Sequence, residues 1–313
     1  MRESESHRTL RYTSRMSSVA HAAPDVSVKP AVAMPTAGES WSAVLELAYA
    51  RVGSRTVPTE RMHSGPLRVQ KALYPEGPGV CQHIIVHPPG GIVGGDTLAI
   101  RARADCDSFV QFTTPGATKW YGSAGGQARQ SVLLSAAKGA AIEWFPREAI
   151  VFDGAIATVG TVVELEGDAV FIGSDIVCLG RTAASEIYAR GSWRQQMHVS
   201  RDGAPVFIER ARIDGGGDVL KSLVGLNGAP VYGTFYAASQ TIGDDLLATC
   251  REVAAARNEG EDECVVTRLP GLLVARYRGA STESAHAYFV ELWRQIRPAL
   301  LGRDALLPRI WNT

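Results

Sequence analysis

Three things are scarce in this chain of 313 residues: net charge, long apolar runs and clustered cysteines. Lys and Arg together number 32 and so do Asp and Glu, so the composition does not indicate a basic surface for nucleic acid. No apolar run approaches the length that crosses a bilayer, and the first residues lack the hydrophobic core of a signal peptide. We therefore expect a cytoplasmic protein with neither a nucleic-acid nor a membrane partner.

The five cysteines stand singly at positions 81, 106, 178, 250 and 264. This spacing forms neither a disulfide framework nor a Cys-x-x-Cys zinc pattern, so we expect reduced and mostly buried thiols. A GxSxG nucleophile motif is also absent, and the sequence contains no recognisable Ser/His/Asp triad.

Residues 1–40 differ in composition from the rest, being rich in Ser, Ala, Pro and charge without a sustained apolar period. Such a segment is typical of disorder. We predict a disordered N-terminal extension over residues 1–40 and a single domain over residues 41–313.

The most distinctive stretch is His87–Asp96, which places two glycine pairs behind two prolines. Such a stretch predicts a shaped loop, because proline lacks a backbone donor and glycine suits positive φ or close backbone approach. The apolar run Val80–Val86 precedes it and the alternating run Thr97–Ala104 follows, so the loop joins two strands. Its GGxxGG spacing before a strand does not fit a phosphate-binding loop, which opens a helix.

From residue 41 to about residue 237, short apolar segments are separated by Gly, Pro or Asp-Gly, as in strands joined by tight turns. The clearest is a hairpin over 193–209 that turns at Asp202-Gly203. Other predicted strands cover 41–49, 109–112, 141–145, 162–165, 170–172, 176–179, 265–269 and 272–277.

Two segments near the C-terminus have helical spacing. The first covers 244–260, and the second begins at Ser281 or Thr282 and is ended by Pro298. The pattern as a whole predicts a large, mainly β, layered domain with two helices near the C-terminus.

Cys81 and His83 lie two residues apart on a predicted strand, so they share a face and form a weak candidate pair of metal ligands. His87 lies on the same face, but four strand residues separate it from His83 by roughly 13 Å, too far to share a metal. Two soft ligands are fewer than the four of a closed site.

Six carboxylates lie beside glycines, turns or apolar residues and form the second set of candidates. A partly buried carboxylate needs a cation, a hydrogen bond or an altered pKa. Ion pairing within turns is the plain alternative to a functional role, with Arg147 and Arg181 as partners. The candidates are Asp96, Glu143, Glu148, Asp153, Asp175 and Glu186.

Several motifs in order resemble the family of urease accessory protein D, also called H. They cover 73–77, Cys81, 87–96, 114–121, 143–148, 152–155 and 179–181. Next to these motifs the chain departs from the family pattern at three positions, with Gln82 where His is expected, Gly122 where Arg is usual and Ser185 where Gly is usual.

The resemblance implies a maturation factor for urease and not an enzyme. It implies a β-helix-like fold that binds the urease apoprotein and accessory protein F, which recruits the GTPase accessory protein G carrying nickel. A passage through the fold is expected to conduct nickel, with no tightly bound cofactor. The six carboxylates are then candidate transit ligands, because a transit path needs weak oxygen ligands.

Two alternatives remain open. One is a carbohydrate hydrolase on a β scaffold that uses two of Glu143, Glu148 and Asp153 as acid and base, which requires an exposed cleft. The other is a binding module that holds a small ligand at the glycine loop, which requires a pocket lined by the loop backbone.

Overall fold

Strands make up about half of the computed structural model, which describes residues 40–258 and 262–312. The strands of this part are, in chain order, β1 (Ser42–Val52), β2 (Arg55–Ser64), β3 (Arg68–Val69), β4 (Val80–Val86), β5 (Thr97–Ala104), β6 (Phe109–Thr113), β7 (Thr118–Trp120), β8 (Ala128–Ala136), β9 (Ala141–Phe145), β10 (Ala149–Val151), β11 (Ile156–Leu165), β12 (Val170–Arg181), β13 (Glu186–Ile187), β14 (Ser192–Arg201), β15 (Ala204–Asp214), β16 (Val231–Ala238), β17 (Glu263–Leu269) and β18 (Leu272–Gly279). The predicted disordered segment lies outside the described residues apart from Ser40, and the single domain over 41–313 stays a prediction.

The strands form two sheets, and from β4 to β14 the chain passes back and forth between them. The first sheet has the order β15-β14-β11-β8-β5-β1-β2, and the second has the order β17-β18-β16-β12-β9-β6-β4-β3. Neighbours from β1 to β14 in the first sheet are parallel, as are those from β4 to β12 in the second. Parallel strands reached by alternation between two sheets form a β-helix-like stack. The prediction of a mainly β, layered or β-helix-like fold is confirmed.

Apolar side chains between the two sheets form the larger core. The inward face of β5 shows why, since Leu98, Ile100, Ala102 and Ala104 are all at most 5% exposed. The period-two alternation in the sequence predicted this face, and it is confirmed.

Three helices occur in the described part, namely α1 (Asp218–Lys221), α2 (Asp244–Arg257) and α3 (Thr282–Leu301). The two predicted helices near the C-terminus are confirmed, whereas the short α1 was not predicted. Ser281 caps α3, its Oγ accepting from the N–H of Ser284 at 3.3 Å. The apolar stripe of α3 packs on the second sheet and forms a second core. Its buried members are Ala285, Tyr288, Phe289, Leu292, Trp293 and Ile296.

The prediction that Pro298 ends the last helix was wrong, because α3 continues to Leu301. Proline removes one N–H donor, and near the end of a helix this costs a single intrahelical bond while the preceding turns stay intact. The helix ends one turn later, where Gly302 has a left-handed φ of 62° and donates its N–H to the Pro298 carbonyl at 3.0 Å.

The segments predicted as separate strands at 170–172 and 176–179 are one strand, β12. Gly173 between them suggested a turn, but it serves close packing instead. A Cβ at this position would lie 2.6 Å from Cζ of Phe171 and 3.0 Å from the carbonyl oxygen of Trp144. Glycine is therefore required inside the strand.

Four of the five cysteines are buried and all are free thiols, as predicted, with Cys106 exposed. Of the helices in the described part of the chain, none combines the length and the apolar composition of a membrane-spanning helix.

Candidate functional site

The glycine-rich loop His87–Asp96 is fixed at the end of β4 by hydrogen bonds within the loop and to nearby segments of the same chain. Asp96 is 0% exposed, and its two carboxylate oxygens accept the N–H groups of Trp41 at 2.7 Å and Val93 at 2.9 Å. Ile92 forms a bridge to β7. Asp96 thus shapes the loop, and its predicted part in metal transit stays a prediction.

Two neighbouring strands of the second sheet are interrupted side by side. Pro115 lies between β6 and β7, and Pro146 lies between β9 and β10. Proline cannot donate to the hydrogen-bond ladder, so the sheet opens at this level. The N–H of Arg147 donates instead to Oγ1 of Thr114 at 2.9 Å, which holds the two breaks together.

Two cavities lie at this break, and we name them from their position. The glycine-loop cavity, about 400 Å³, is lined by His87, Gly91 and Trp144 among others. The middle cavity, about 50 Å³, contains Asp175 in its wall. The two adjoin, because both are lined by Thr118, Gln130 and Pro146.

Asp175 projects from β12 into the middle cavity, where its Oδ2 accepts from Nε2 of Gln195 at 3.3 Å. Tyr232 donates to Oε1 of Gln195 at 2.9 Å and accepts from Nε1 of Trp193 at 2.8 Å. Burial raises the pKa of Asp175 to about 6, the Gln195 bond opposes this, and the charge of Glu209 adds to it. The ionised form of Asp175 is therefore destabilised in the folded protein.

A third space, which we call the β15 cleft, adjoins the middle cavity through Gln195 and has a volume of about 520 Å³. It opens where β15 ends the first sheet and β16 to β18 continue the second. Within it, Glu209 pairs with Nη2 of Arg276 at 2.5 Å and accepts from the hydroxyl of Tyr236 at 3.2 Å. The glycine-loop cavity, the middle cavity and the β15 cleft thus adjoin one another in that order, from the glycine loop to the edge of the first sheet at β15.

Two buried nitrogen atoms in the cavity walls lack a hydrogen-bond partner within the described part of the chain. They are Nε2 of His87, in the wall of the glycine-loop cavity, and Nε1 of Trp120, in the wall of the middle cavity. Unpaired buried polar atoms of this kind call for water or an ion as a partner.

Glu143 lies on the other side of the second sheet, facing α3. Its Oε1 accepts from Nε1 of Trp293 at 2.7 Å and Nε of Arg297 at 2.9 Å, and its Oε2 accepts from Nε2 of Gln111 at 2.8 Å. Burial raises the pKa of Glu143, while Arg297 and the two neutral donors oppose the rise. Arg297 also pairs with Glu76, with Nη1 and Oε2 2.7 Å apart. The group lines none of the cavities described above.

Glu148 lies between β9 and β10 and contacts α3 through His286. Its Oε2 lies 2.9 Å from Nε2 of His286 and 3.6 Å from Nε of Arg147. Burial opposes ionisation, but the hydrogen bond from His286 and the charge of Arg147 outweigh it and lower the pKa of Glu148. Trp311 is partly buried and donates from Nε1 to Oγ1 of Thr113 at 2.7 Å.

Asp153 and Glu186 form a linked pair of ion-paired carboxylates near the surface. Asp153 accepts from Nη2 of Arg190 at 2.7 Å, and Glu186 accepts from Nη2 of Arg181 at 2.6 Å. The N–H of Asp153 donates to Oε1 of Glu186 at 3.1 Å. Hydrogen bonds from the two arginines lower the pKa of both carboxyls. Of the six predicted carboxylates, Asp175 is the one that lines a described cavity.

Cys81 and His83 share one face of β4, as predicted, and both are 0% exposed. Burial raises the pKa of Cys81 to about 11 and lowers that of His83 to about 4, and the hydroxyl of Tyr49 bonds to Nδ1 of His83. Over residues 40–258 and 262–312, no group of three or more His, Cys, Asp or Glu side chains is placed to hold one metal ion.

Sequence reasoning missed Gln195 and Glu209. The available signal was a polar residue within an inward apolar stripe, because Gln195 shares a strand face with the buried Trp193 and Met197. An inward polar side chain between two buried apolar ones marks either a buried network or a wet cavity.

The fold and the site together define a class of protein: a β scaffold with adjoining internal spaces and isolated polar groups along them. The arrangement does not support the alternative hydrolase, since Glu143 is 0% exposed and Glu148 and Asp153 are engaged in ion pairs. Residues 42–312 match the model of the UreD urease accessory protein family, and the chain belongs to this family.

Curated relatives extend the match over nearly the whole chain. The urease accessory protein UreD of Azoarcus sp. (strain BH72) is 48% identical over 281 residues, covering 90% of this chain and 97% of the relative. That of Pseudomonas fluorescens (strain Pf-5) is 51% identical, covering 88% and 96%, and that of Pseudomonas aeruginosa PAO1 is 48% identical, covering 93% and 99%. The predicted resemblance is confirmed, and the relatives are maturation factors rather than enzymes.

Proposed function

We propose that this protein passes nickel to urease during maturation, through the three adjoining spaces between its sheets. The observation that carries the proposal is the shared lining: Gln130 borders both the glycine-loop cavity and the middle cavity, and Gln195 borders both the middle cavity and the β15 cleft. Asp175 lies at the smallest of the three spaces, where a dication would meet a carboxylate.

Weak, separated ligands suit cargo that must be released. Ni²⁺ accepts oxygen and imidazole ligands, and a closed set of three or four would retain it. The cavity walls hold Asp175 in the middle cavity and Glu209 in the cleft, each already sharing its charge or hydrogen bonds with protein groups. Each carboxylate therefore attracts the ion while its existing partners limit the strength of binding.

The partners in this proposal are the urease apoprotein, accessory protein F and the GTPase accessory protein G, which delivers the nickel. Exposed apolar side chains beside the β15 cleft support a protein partner at that end. Leu223 is 77% exposed and Val224 is 99% exposed, on the loop that follows α1. Apolar side chains that protrude in this way favour burial against another protein.

The first test measures urease activity in cells that express the cognate urease subunits and accessory proteins with nickel, with and without this chain. Activity that depends on the chain supports the proposal, provided that the purified chain hydrolyses no urea. Activity that is the same without the chain contradicts it.

The second test separates transit from assembly. Asp175→Asn removes the carboxylate at the smallest cavity, and Asp245→Asn, on the exposed start of α2, is the matched control. We expect Asp175→Asn to lower the activation of urease and the nickel content of urease. The complex of the variant with urease and accessory protein F should still co-purify. Full activation by Asp175→Asn would contradict a route through the middle cavity.

A further inference from the structure

His87 occupies a position that the fold leaves chemically incomplete. It follows β4 directly, on the same inward face as the buried Ile85, and its ring lines the glycine-loop cavity. Its Nε2 atom is shielded from solvent and has no hydrogen-bond partner within the described part of the chain. The backbone at this point is fixed, because the His87 carbonyl accepts the N–H of Gly90 at 3.0 Å.

The surroundings of the ring favour a neutral imidazole next to a negative charge. Burial lowers the pKa of His87, and the nearby Asp96 opposes this without reversing it. Both oxygens of Asp96 are already occupied by the N–H groups of Trp41 and Val93. Asp96 is 0% exposed and does not line the cavity, so it contributes only its charge, while His87 lines the cavity and has a ring nitrogen without a partner in the described part of the chain.

Resting on the nickel-transfer function proposed above, we infer that His87 is a transient nickel ligand at the glycine-loop end of the passage, binding the ion through Nε2. Imidazole is a preferred ligand for Ni²⁺, and a neutral ring offers its lone pair without first losing a proton. One side-chain ligand, completed by water and backbone oxygens, gives a site weak enough to release its ion.

The neighbouring wall supplies the next ligand along the same route. Gln130 lines both the glycine-loop cavity and the middle cavity, and its side chain makes no hydrogen bond within residues 40–258 and 262–312. An ion leaving His87 would meet the Gln130 amide oxygen and then Asp175. The order of side chains along this route is imidazole, amide and carboxylate.

The experiment compares the wild-type full chain with His87→Asn and with His198→Asn, a matched control on β14 that lines none of the cavities described. Asn keeps a polar side chain but lacks the imidazole nitrogen. Binding of Ni²⁺ alone is measured by calorimetry, and thermal unfolding and co-purification with urease are measured on the same variants. Urease activation with nickel is followed in cells.

We expect His87→Asn to weaken Ni²⁺ binding by about tenfold or more. Mutation of residues that only support a metal's ligands already costs this much, so loss of the ligand itself should cost at least as much. The variant should slow activation while its thermal unfolding and complex formation match those of the wild type and His198→Asn. The inference is overturned if His87→Asn binds Ni²⁺ like the wild type, or if it loses folding or complex formation together with activation. If the wild type itself fails to support activation, the nickel-transfer proposal falls instead.

Discussion

Arg297 and Glu143 form an ion pair in which neither side chain has any exposed area, with Nε and Oε1 2.9 Å apart. The pair joins α3 to β9, and Trp293 and Gln111 complete the hydrogen bonds of the carboxylate. A buried ion pair of this kind is sensitive to the loss of one partner, because the other charge is then left without compensation in a medium of low dielectric constant.

Arg297→Met is therefore expected to destabilise the protein by about 3–5 kcal/mol, since Glu143 and Glu76 both lose their cation. The measurement is urea unfolding at neutral pH. Arg294→Met, on an exposed position of the same helix, is the control and should change stability by less than about 0.5 kcal/mol. Equal effects of the two substitutions would show that the buried pair does not hold the helix to the sheet.

The contrast between Glu143 and Asp175 shows what sequence patterns can and cannot predict. Glu143 was correctly placed on a predicted strand, whereas Asp175 fell between the predicted strands 170–172 and 176–179 and lies inside β12. All five residues of β9 are buried, however, because the first sheet covers one face and α3 the other. A strand buried on both faces has no polar alternation, so nothing in the pattern distinguishes the cavity side from the helix side.

Long-range partners set the rest of the site. Glu143 meets Arg297 across 154 residues, and Asp153 meets Arg190 across 37. Spacing identifies neighbours only within one strand, hairpin or helix, so the sequence predicted the glycine loop, the hairpin of β14 and β15, and the face of α3. The cavities could not be predicted, because they arise where breaks at Pro115 and Pro146 lie side by side in space.

Asp175→Asn is expected to stabilise the protein at neutral pH even though it impairs nickel transfer. The pKa of Asp175 in the fold is about 6, above its ordinary value of 3.8, so the folded state favours the protonated form. The stability that this group contributes is present below about pH 4 and is lost as the pH rises through 6. A shift of this size corresponds to roughly 3 kcal/mol at most.

Unfolding of the wild type and Asp175→Asn across pH 4 to 8 tests this. The variant should gain stability over the wild type as the pH rises and show little gain near pH 4, whereas Asp245→Asn should follow the wild type throughout. A difference in stability between the two proteins that is the same at all pH values would mean that ionisation of Asp175 does not destabilise the fold.

Gly126→Ala is expected to disturb the glycine loop. A Cβ at this position would lie 2.9 Å from the carbonyl carbon of Gly94 and 3.0 Å from the nitrogen of Gly95, and both are backbone atoms that cannot rotate away. We expect a loss of about 1–3 kcal/mol, as in other overpacked sites. Gly116→Ala is the control, because a Cβ there meets nothing within 4 Å. Thermal unfolding of both variants gives the comparison, and an unchanged Gly126→Ala would show that the loop is free to move.

Ser185→Gly is expected to stabilise the protein. Ser185 follows a short 3-10 turn with a φ of 56°, in the left-handed region that side chains disfavour. Relief of this strain is worth about 1 kcal/mol, partly offset by the greater freedom of glycine in the unfolded chain. The same backbone turn carries Arg181 into its ion pair with Glu186, so the variant should keep that pair. Urea unfolding measures the gain, Ser185→Ala is the control that keeps the strain, and a Ser185→Gly variant less stable than Ser185→Ala would contradict the strain argument.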